Sequence, residues 1–209
     1  LNITRDEFIE AITGGLRWAV EQGYASREDA RRVEEGGNMP TSHDSVSSKA
    51  LSRGHGQLGT LGAGNHFMEV QRVDKAFGDT AARWGLEEGE AVVMIHTGSR
   101  GFGHQIATDH IRRILSEQKE FNRQVPDKEL AAAPLHSREG EAYLGAVKCA
   151  VNFAFVNRQV ITHYVRQVFD ELLGAELEMV YGVAHNIGKF EKHGEEVFIH
   201  RKGATRAFG

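Results

Sequence analysis

Apolar residues recur at helical spacing from Tyr143 to Leu172, through Leu144, Val147, Val151, Phe155, Ile161, Val165, Val168 and Phe169. Ser137 ahead of this stripe is a helix-capping residue type, and Gly174 behind it is a common helix terminator. The pattern predicts one helix from Ser137 to Leu173, the longest element of the chain. Thr4 and Glu7 form a capping box, with Phe8, Ile12, Leu16 and Val20 following at four-residue steps, which predicts helix over 4–23. Ser26 and Asp29 open a shorter helix to about Glu35, ended by Gly36-Gly37, and residues 44–53 and 103–117 also suit helix. Strand-type runs fall at 67–70, 91–96, 177–183 and 196–199, while 121–136, with Pro126 and Pro134, reads as irregular. The fold class expected is α+β, with mixed strands and helices in one domain: a helical segment over 1–35 and a core over 36–209.

Composition excludes several classes. Hydrophobic residues at 40% and charged residues at 26% describe a globular chain rather than a disordered one. No apolar run approaches the ~18–20 residues of a membrane span, and the first residues lack a signal-peptide core. The single cysteine, Cys149, cannot form an internal disulfide, which together with the missing signal predicts a cytoplasmic protein. The net charge of −4 argues against coating nucleic acid by bulk charge and leaves a local basic pocket open. Glycine at 24 with proline at only 3 suggests tight backbone approaches rather than linkers. The chain has no initiator Met, and 203–209 reads as a loop, so a piece of something longer is expected.

The 11 histidines matter through their positions. His66 follows a glycine-rich stretch, and His96, His185 and His200 each follow an apolar, strand-like run and precede small or polar residues. A histidine leaving a strand into a tight turn has a fixed backbone and one open side, as a metal ligand needs, although a hydrogen-bonded rim histidine has the same look. Imidazoles alone suit Zn, Fe, Ni or Cu, and carboxylates would extend the choice toward Mn. Glu69, three residues after His66, would face away from it on a regular strand and so serve a different ligand. The loops at 59–66 and 98–103 could present backbone N–H groups to an anion, with Arg100 adding charge. Neither is a P-loop. Arg201, Lys202 and Arg206 cluster beside His200, where they could meet phosphate or simply be solvated.

Taken together, Gly56-Gln57-Leu58-Gly59-Thr60-Leu61-Gly62-Ala63-Gly64-Asn65-His66-Phe67, His96-Thr97-Gly98-Ser99-Arg100-Gly101-Phe102-Gly103-His104, Val183-Ala184-His185-Asn186 and His200-Arg201-Lys202-Gly203-Ala204-Thr205-Arg206 resemble the RtcB family of RNA ligases. Pro126-Asp127-Lys128-Glu129-Leu130 and Asn152-Phe153-Ala154-Phe155-Val156-Asn157-Arg158 fit the same family. The resemblance implies joining of an RNA 3′-phosphate or 2′,3′-cyclic phosphate end to a 5′-hydroxyl end, with GTP and two Mn²⁺ ions, through a guanylylated histidine. It implies His66, His96 and His185 as manganese ligands, and Asn65, His66, Phe67, Met68, Glu69, His185 and Asn186 around GTP. Arg100, Lys202 and Arg206 become candidates for phosphate or RNA-end contacts, and an accessory partner such as archease is known of the family. The family's Asp-x-Gly-Cys-Gly metal motif is missing, and Cys149, inside the long helix, does not replace its thiolate. The guanylylated histidine of the family belongs beyond the equivalent of Gly209. No catalytic nucleophile is therefore expected within these residues, and the chain alone is expected not to ligate RNA. Two other readings stand beside the ligase: a module that binds metal, nucleotide and RNA ends without turnover, and a two-metal phosphoesterase.

Overall fold

The computed structural model describes residues 1–206. The loop expected over 203–209 lies outside the described residues from 207 onward. The long helix forms as its stripe predicts, α7 over Arg138–Leu173. The Ser137 hydroxyl accepts from the Gly140 N–H, and Gly174 closes the other end in the left-handed conformation. At 36 residues it runs about 54 Å. Its middle is enclosed on every side: Cys149 through Phe153, Phe155 to Asn157 and Gln159 to Ile161 are all buried. Beyond Thr162 the stripe emerges, leaving Leu172 and Leu173 exposed.

The other elements wrap this axle. The N-terminal helix expected as one piece is two, α1 (Arg5–Gly14) and α2 (Leu16–Glu21). Gly15 breaks it at φ +57, where a Cβ would overlap the Gly37 carbonyl oxygen, so the apolar register continues through a bend rather than a straight helix. The next helix, α3, is shorter than expected, Arg27–Arg31, followed by a 3₁₀ turn over Glu34–Gly37 in which Glu35 has φ +56. Then come α4 (Ser48–His55), β1 (Phe67–Arg72), α5 (Gly78–Arg83), β2 (Ala91–His96) and α6 (Arg100–Glu117) before α7. After α7 lie β3 (Asn186–His193) and β4 (Glu195–Lys202). The class is α+β: β1–β2 and β3–β4 are separate antiparallel pairs.

Two apolar clusters grip α7. On one flank Phe8, Ile12, Trp18, Leu51, Phe102 and Ile106 pack against Phe153, Val156 and Val160. On the other, Leu16, Val33, Met39 and Ile187 pack against Val151 and Phe155.

The run 177–183 is not a strand. Among the described residues its only ladder contact is an isolated parallel bridge between Val33 and Gly182, and Arg32 and Arg166 hold the Met179 and Leu177 carbonyls with their side chains. The strand falls one segment later, in the stretch expected to turn. The reason is electrostatic: the buried face of β3 carries Ile187, Lys189 and Glu191, while Phe190 is half-exposed, so hydropathy hides the strand. His200 consequently lies inside β4 rather than at a strand end.

Asn152, fully buried on α7, accepts from the Met39 N–H at 2.7 Å and donates to the Ile12 and Met39 carbonyls at 3.0 and 2.9 Å. Replacing it with Ala leaves three backbone groups without partners. Asn152→Ala is expected to lower unfolding free energy by about 3 kcal/mol or more, read from urea denaturation.

Candidate functional site

β1 and β2 pair with Phe67 opposite His96, so His66, one residue before β1, and His96, the last residue of β2, meet at one end of the ribbon. β3 and β4 pair with Asn186 opposite Lys202, which puts His185 at the open end of the second ribbon. The two ends converge. His96 Nε2 and His185 Nε2 are 3.2 Å apart, and the His66 and His96 ring centroids are 6.3 Å apart. The Phe67 ring stands edge-on to His96 at 5.1 Å. These residues open onto a cleft of about 2370 Å³ between the ribbons, α6 and α7.

The glycine-rich turns carry this geometry, held from below by Asn157 of α7. Its carboxamide oxygen accepts from the Gly59 and Thr60 N–H groups, at 2.7 and 3.1 Å, and its amide donates to the Thr60 carbonyl at 3.1 Å. Thr97 donates its hydroxyl to the Leu61 carbonyl at 2.6 Å, tying the two turns together. Gln57 Oε1 takes the Gly101 N–H at 2.8 Å. The N–H groups of Gly59, Thr60 and Gly101 are thus spent on side chains of the chain itself, so they are not offered to an anion as the sequence suggested.

Arg100 sits at φ +53, uncommon for a residue with a side chain, and its guanidinium reaches Thr60 Oγ1 at 3.2 Å and His66 Nδ1 at 3.3 Å. A Cβ on Gly62 would overlap both the Arg100 Nη1 and the His66 Nδ1, so only glycine lets them approach. Burial and the neighbouring Arg100 hold the His66 pKa below its ordinary value, against a hydrogen bond to the Leu61 carbonyl that raises it. His66 is therefore a neutral imidazole at pH 7, as a metal ligand must be.

His185 owes its place to a residue with no sequence signal. The Glu34 carboxylate accepts from the Ala184 N–H at 2.9 Å and from Lys189 Nζ at 2.7 Å, while the Glu34 N–H donates to the Gly182 carbonyl at 2.8 Å. Glu34 thus brackets His185 from both sides, across 150 residues of chain. Around it Lys189, Glu35, Glu191, Arg201 and Arg206 form one ion network. Arg206, expected at phosphate, lies against Glu35 at 3.1 Å, and Arg201 pairs with Glu191.

Of the sequence-predicted residues, His66, Phe67, His96, Arg100, His185, Asn186 and Lys202 line the cleft. Asn65, Met68 and Glu69 are exposed and do not form its wall; Glu69 accepts from the Gln71 amide at 2.8 Å. His200 also lines the cleft but is exposed, near Tyr143 and Phe198 rather than the other histidines. Cys149 is buried, and burial pushes its thiol up to about 11, against any role as a ligand thiolate. Two nitrogens on one ion at tetrahedral geometry lie about 3.4 Å apart, so His96 and His185 fit as a ligand pair. Among the described residues no group of three or more His, Cys, Asp or Glu side chains closes into a metal site, so the donors present amount to a partial set.

Converging histidines, basic side chains and a glycine-only approach meet in one cleft of the α+β frame. The chain belongs to the RtcB family: the family described as tRNA-splicing ligase RtcB matches residues 1–209. It is 49% identical to a tRNA-splicing ligase RtcB of Pyrococcus furiosus, over 95% of this chain and 22% of that protein. It is 48% identical to one of Thermococcus kodakarensis, over 95% of this chain and 44% of that protein. It is 46% identical to one of Archaeoglobus fulgidus, over all of this chain and 46% of that protein. The chain therefore spans less than half the length of these relatives. No helix among the described residues is long and apolar enough to cross a membrane.

The network beside His185 has a pH signature. Hydrogen bonding to Arg201 holds the Glu191 carboxyl at about 2, against an ordinary 4.5 and against the opposing effect of burial. A lowered folded-state pKa stabilises fully above the unfolded value and is lost as pH falls through the folded one. Glu191→Gln should therefore be less stable at neutral pH and lose less stability than the parent between about pH 4.5 and pH 2. Urea midpoints measured across that range check this.

Proposed function

We propose that this chain supplies the histidine-lined half of the active site of a GTP- and Mn²⁺-dependent RNA ligase. The reaction joins RNA 3′-phosphate or 2′,3′-cyclic phosphate ends to 5′-hydroxyl ends. The observation that carries this reading is the meeting of His96 Nε2 and His185 Nε2 at 3.2 Å, from two ribbons 89 residues apart in sequence, in a cleft whose other walls carry unpaired cations. Membership of the family supports the same reaction. His66, His96 and His185 would hold manganese, which when bound neutralises phosphate charge and acts as a Lewis acid at phosphorus.

The chain's own residues bind and orient. Phe67 packs against His96 and limits its ring, and the Arg100 guanidinium borders the Nδ1 side of the His66 ring. Asn186 is held by the Gly203 N–H at its side-chain oxygen, which presents its amide outward toward a nucleotide. Asn65, Met68 and Glu69, exposed on the first ribbon, are available to the same nucleotide from outside the cleft wall. Lys202, across the ladder from Asn186, suits a phosphate at an RNA end, and Arg206 would reach one only by leaving Glu35. The nucleophilic histidine comes from outside these residues, in a single catalytic domain of which this chain is part. The packing of Phe8 and Ile12 into the core around α7 supports assigning 1–35 to that domain. The enzyme would work in the cytoplasm, with archease as an accessory partner.

The test is end joining by the complete gene product, with the 209-residue chain alongside, on RNA bearing a 2′,3′-cyclic phosphate and a 5′-hydroxyl. Joining that requires both GTP and Mn²⁺, by the complete protein only, is the expected result. Tight Mn²⁺ or GTP binding with no joining by either would replace the ligase with a module that binds RNA ends without turnover. In the complete protein, His185→Ala should cost more than the about 10–100-fold typical of losing a ligand's supporting residue, read as single-turnover joining. Lys202→Ala should weaken RNA-end binding about tenfold and leave nucleotide transfer to the enzyme nearly intact, and equal loss of both would refute that division.

A further inference from the structure

Six basic side chains line the cleft, and their partners divide them. Arg32 pairs with Glu28 and Glu178, Arg166 with Asp29, and Arg201 with Glu191. Among the described residues Arg100, Lys202 and Arg158 have no carboxylate partner. Arg100 and Lys202 stand out in sequence because they flank the histidine motifs. Arg158 closes the family-like run 152–158 but has no histidine beside it, and in the middle of the long helix a cation between Asn157 and Gln159 reads as part of a helix face.

Its surroundings are unlike a helix face. Arg158 Nη1 donates to the carbonyl of Thr97, the residue after His96, at 3.2 Å, and the guanidinium lies 5.3 Å from the centroid of the Phe155 ring. Nη2 is shut away from solvent and makes no hydrogen bond. The opposing charge that acts on it is Glu34, already engaged by Lys189 and the Ala184 N–H. Burial pulls the Arg158 pKa down to about 10, which still leaves it charged at pH 7. A desolvated guanidinium without an anion is costly, and the cost is recovered when an anion with several acceptor oxygens arrives.

We propose that Arg158 is a phosphate-binding residue of this cleft: its guanidinium, part-exposed on the cleft wall, turns on binding so that the covered, unpartnered Nη2 meets a phosphoryl group beside His96. Its fork geometry suits two phosphoryl oxygens, and the low-dielectric wall makes each contact stronger than at Lys202 on the exposed rim. The phosphoryl group comes from the nucleoside triphosphate or from the RNA 3′ end. In naming these sources the assignment rests on the ligase reading, while the anion site itself does not.

The experiment measures binding of inorganic pyrophosphate, at fixed ionic strength, by the 209-residue chain and its variants, using titration calorimetry. Arg158→Gln is expected to bind about tenfold more weakly or worse. Arg158→Lys, which keeps the charge and loses the fork, should fall between it and the parent, while the exposed control Arg123→Gln should match the parent. If Arg158→Gln fails to fold by circular dichroism, Arg158→Lys carries the comparison, and a folded Arg158→Lys with parental affinity overturns the assignment. Parental affinity in Arg158→Gln, or no pyrophosphate binding by the parent, also overturns it. Parallel titrations with GTP and with a short RNA ending in a 3′-phosphate or a 3′-hydroxyl identify the source, by which affinity falls with Arg158. Pyrophosphate binding that depends on Arg158, with neither GTP nor RNA bound, would retain the anion site and reject the ligase reading.

Discussion

Two asparagine side chains of α7 hold backbone that no helix or ladder satisfies. Asn152 satisfies groups of residues 12 and 39, and Asn157, five positions on, satisfies those of residues 59 and 60. Each is wholly buried, so each bond replaces water that cannot enter. The chain can therefore pass irregular, glycine-rich segments through its centre without leaving orphaned polar groups. The first half of the site is referenced to Asn157: the first turn sits on it, the second is bound to the first through Thr97, and His66 and His96 ride on them.

The second ribbon is fixed by charge rather than by apolar packing. Lys189 and Glu191 lie on the buried face of β3 and are paired with Glu34, Glu35 and Arg201. Such a network contributes little net stability compared with an apolar face of the same shape, but it tolerates few alternative arrangements, because each misplaced charge would be buried alone. Glu34 uses this selectivity to fix the backbone just ahead of His185 and the Lys189 side chain beyond it. The ribbon that carries Asn186 and Lys202 is thereby set against the one that carries His66 and His96.

Legibility followed period and punctuation. The limits of α7 were readable from Ser137 and Gly174, and β2 from an unbroken apolar run. The break at Gly15 was not, because the four-residue apolar steps continue across it and only the approach of Gly37 requires the bend. The strand misplaced to 177–183 failed for the opposite reason: its residues are strand-like but find no ladder, whereas β3 has a ladder and a charged interior face. Of the motif residues, His66, His96 and His185 lie on the cleft wall, while Asn65, Met68 and Glu69 lie off it and Arg206 is held by Glu35.

By itself the sequence determined the family, the long central helix, the strand end that carries His96, and the chemistry of the histidines and glycines, since these depend on residue type and local spacing. Tertiary structure alone decided that His96 and His185 meet, that Glu34 holds the His185 segment from 150 residues away, and which cations remain without a carboxylate. Those outcomes depend on burial and on partners distant in the chain. Neither the period of a helix nor the type of a side chain encodes them.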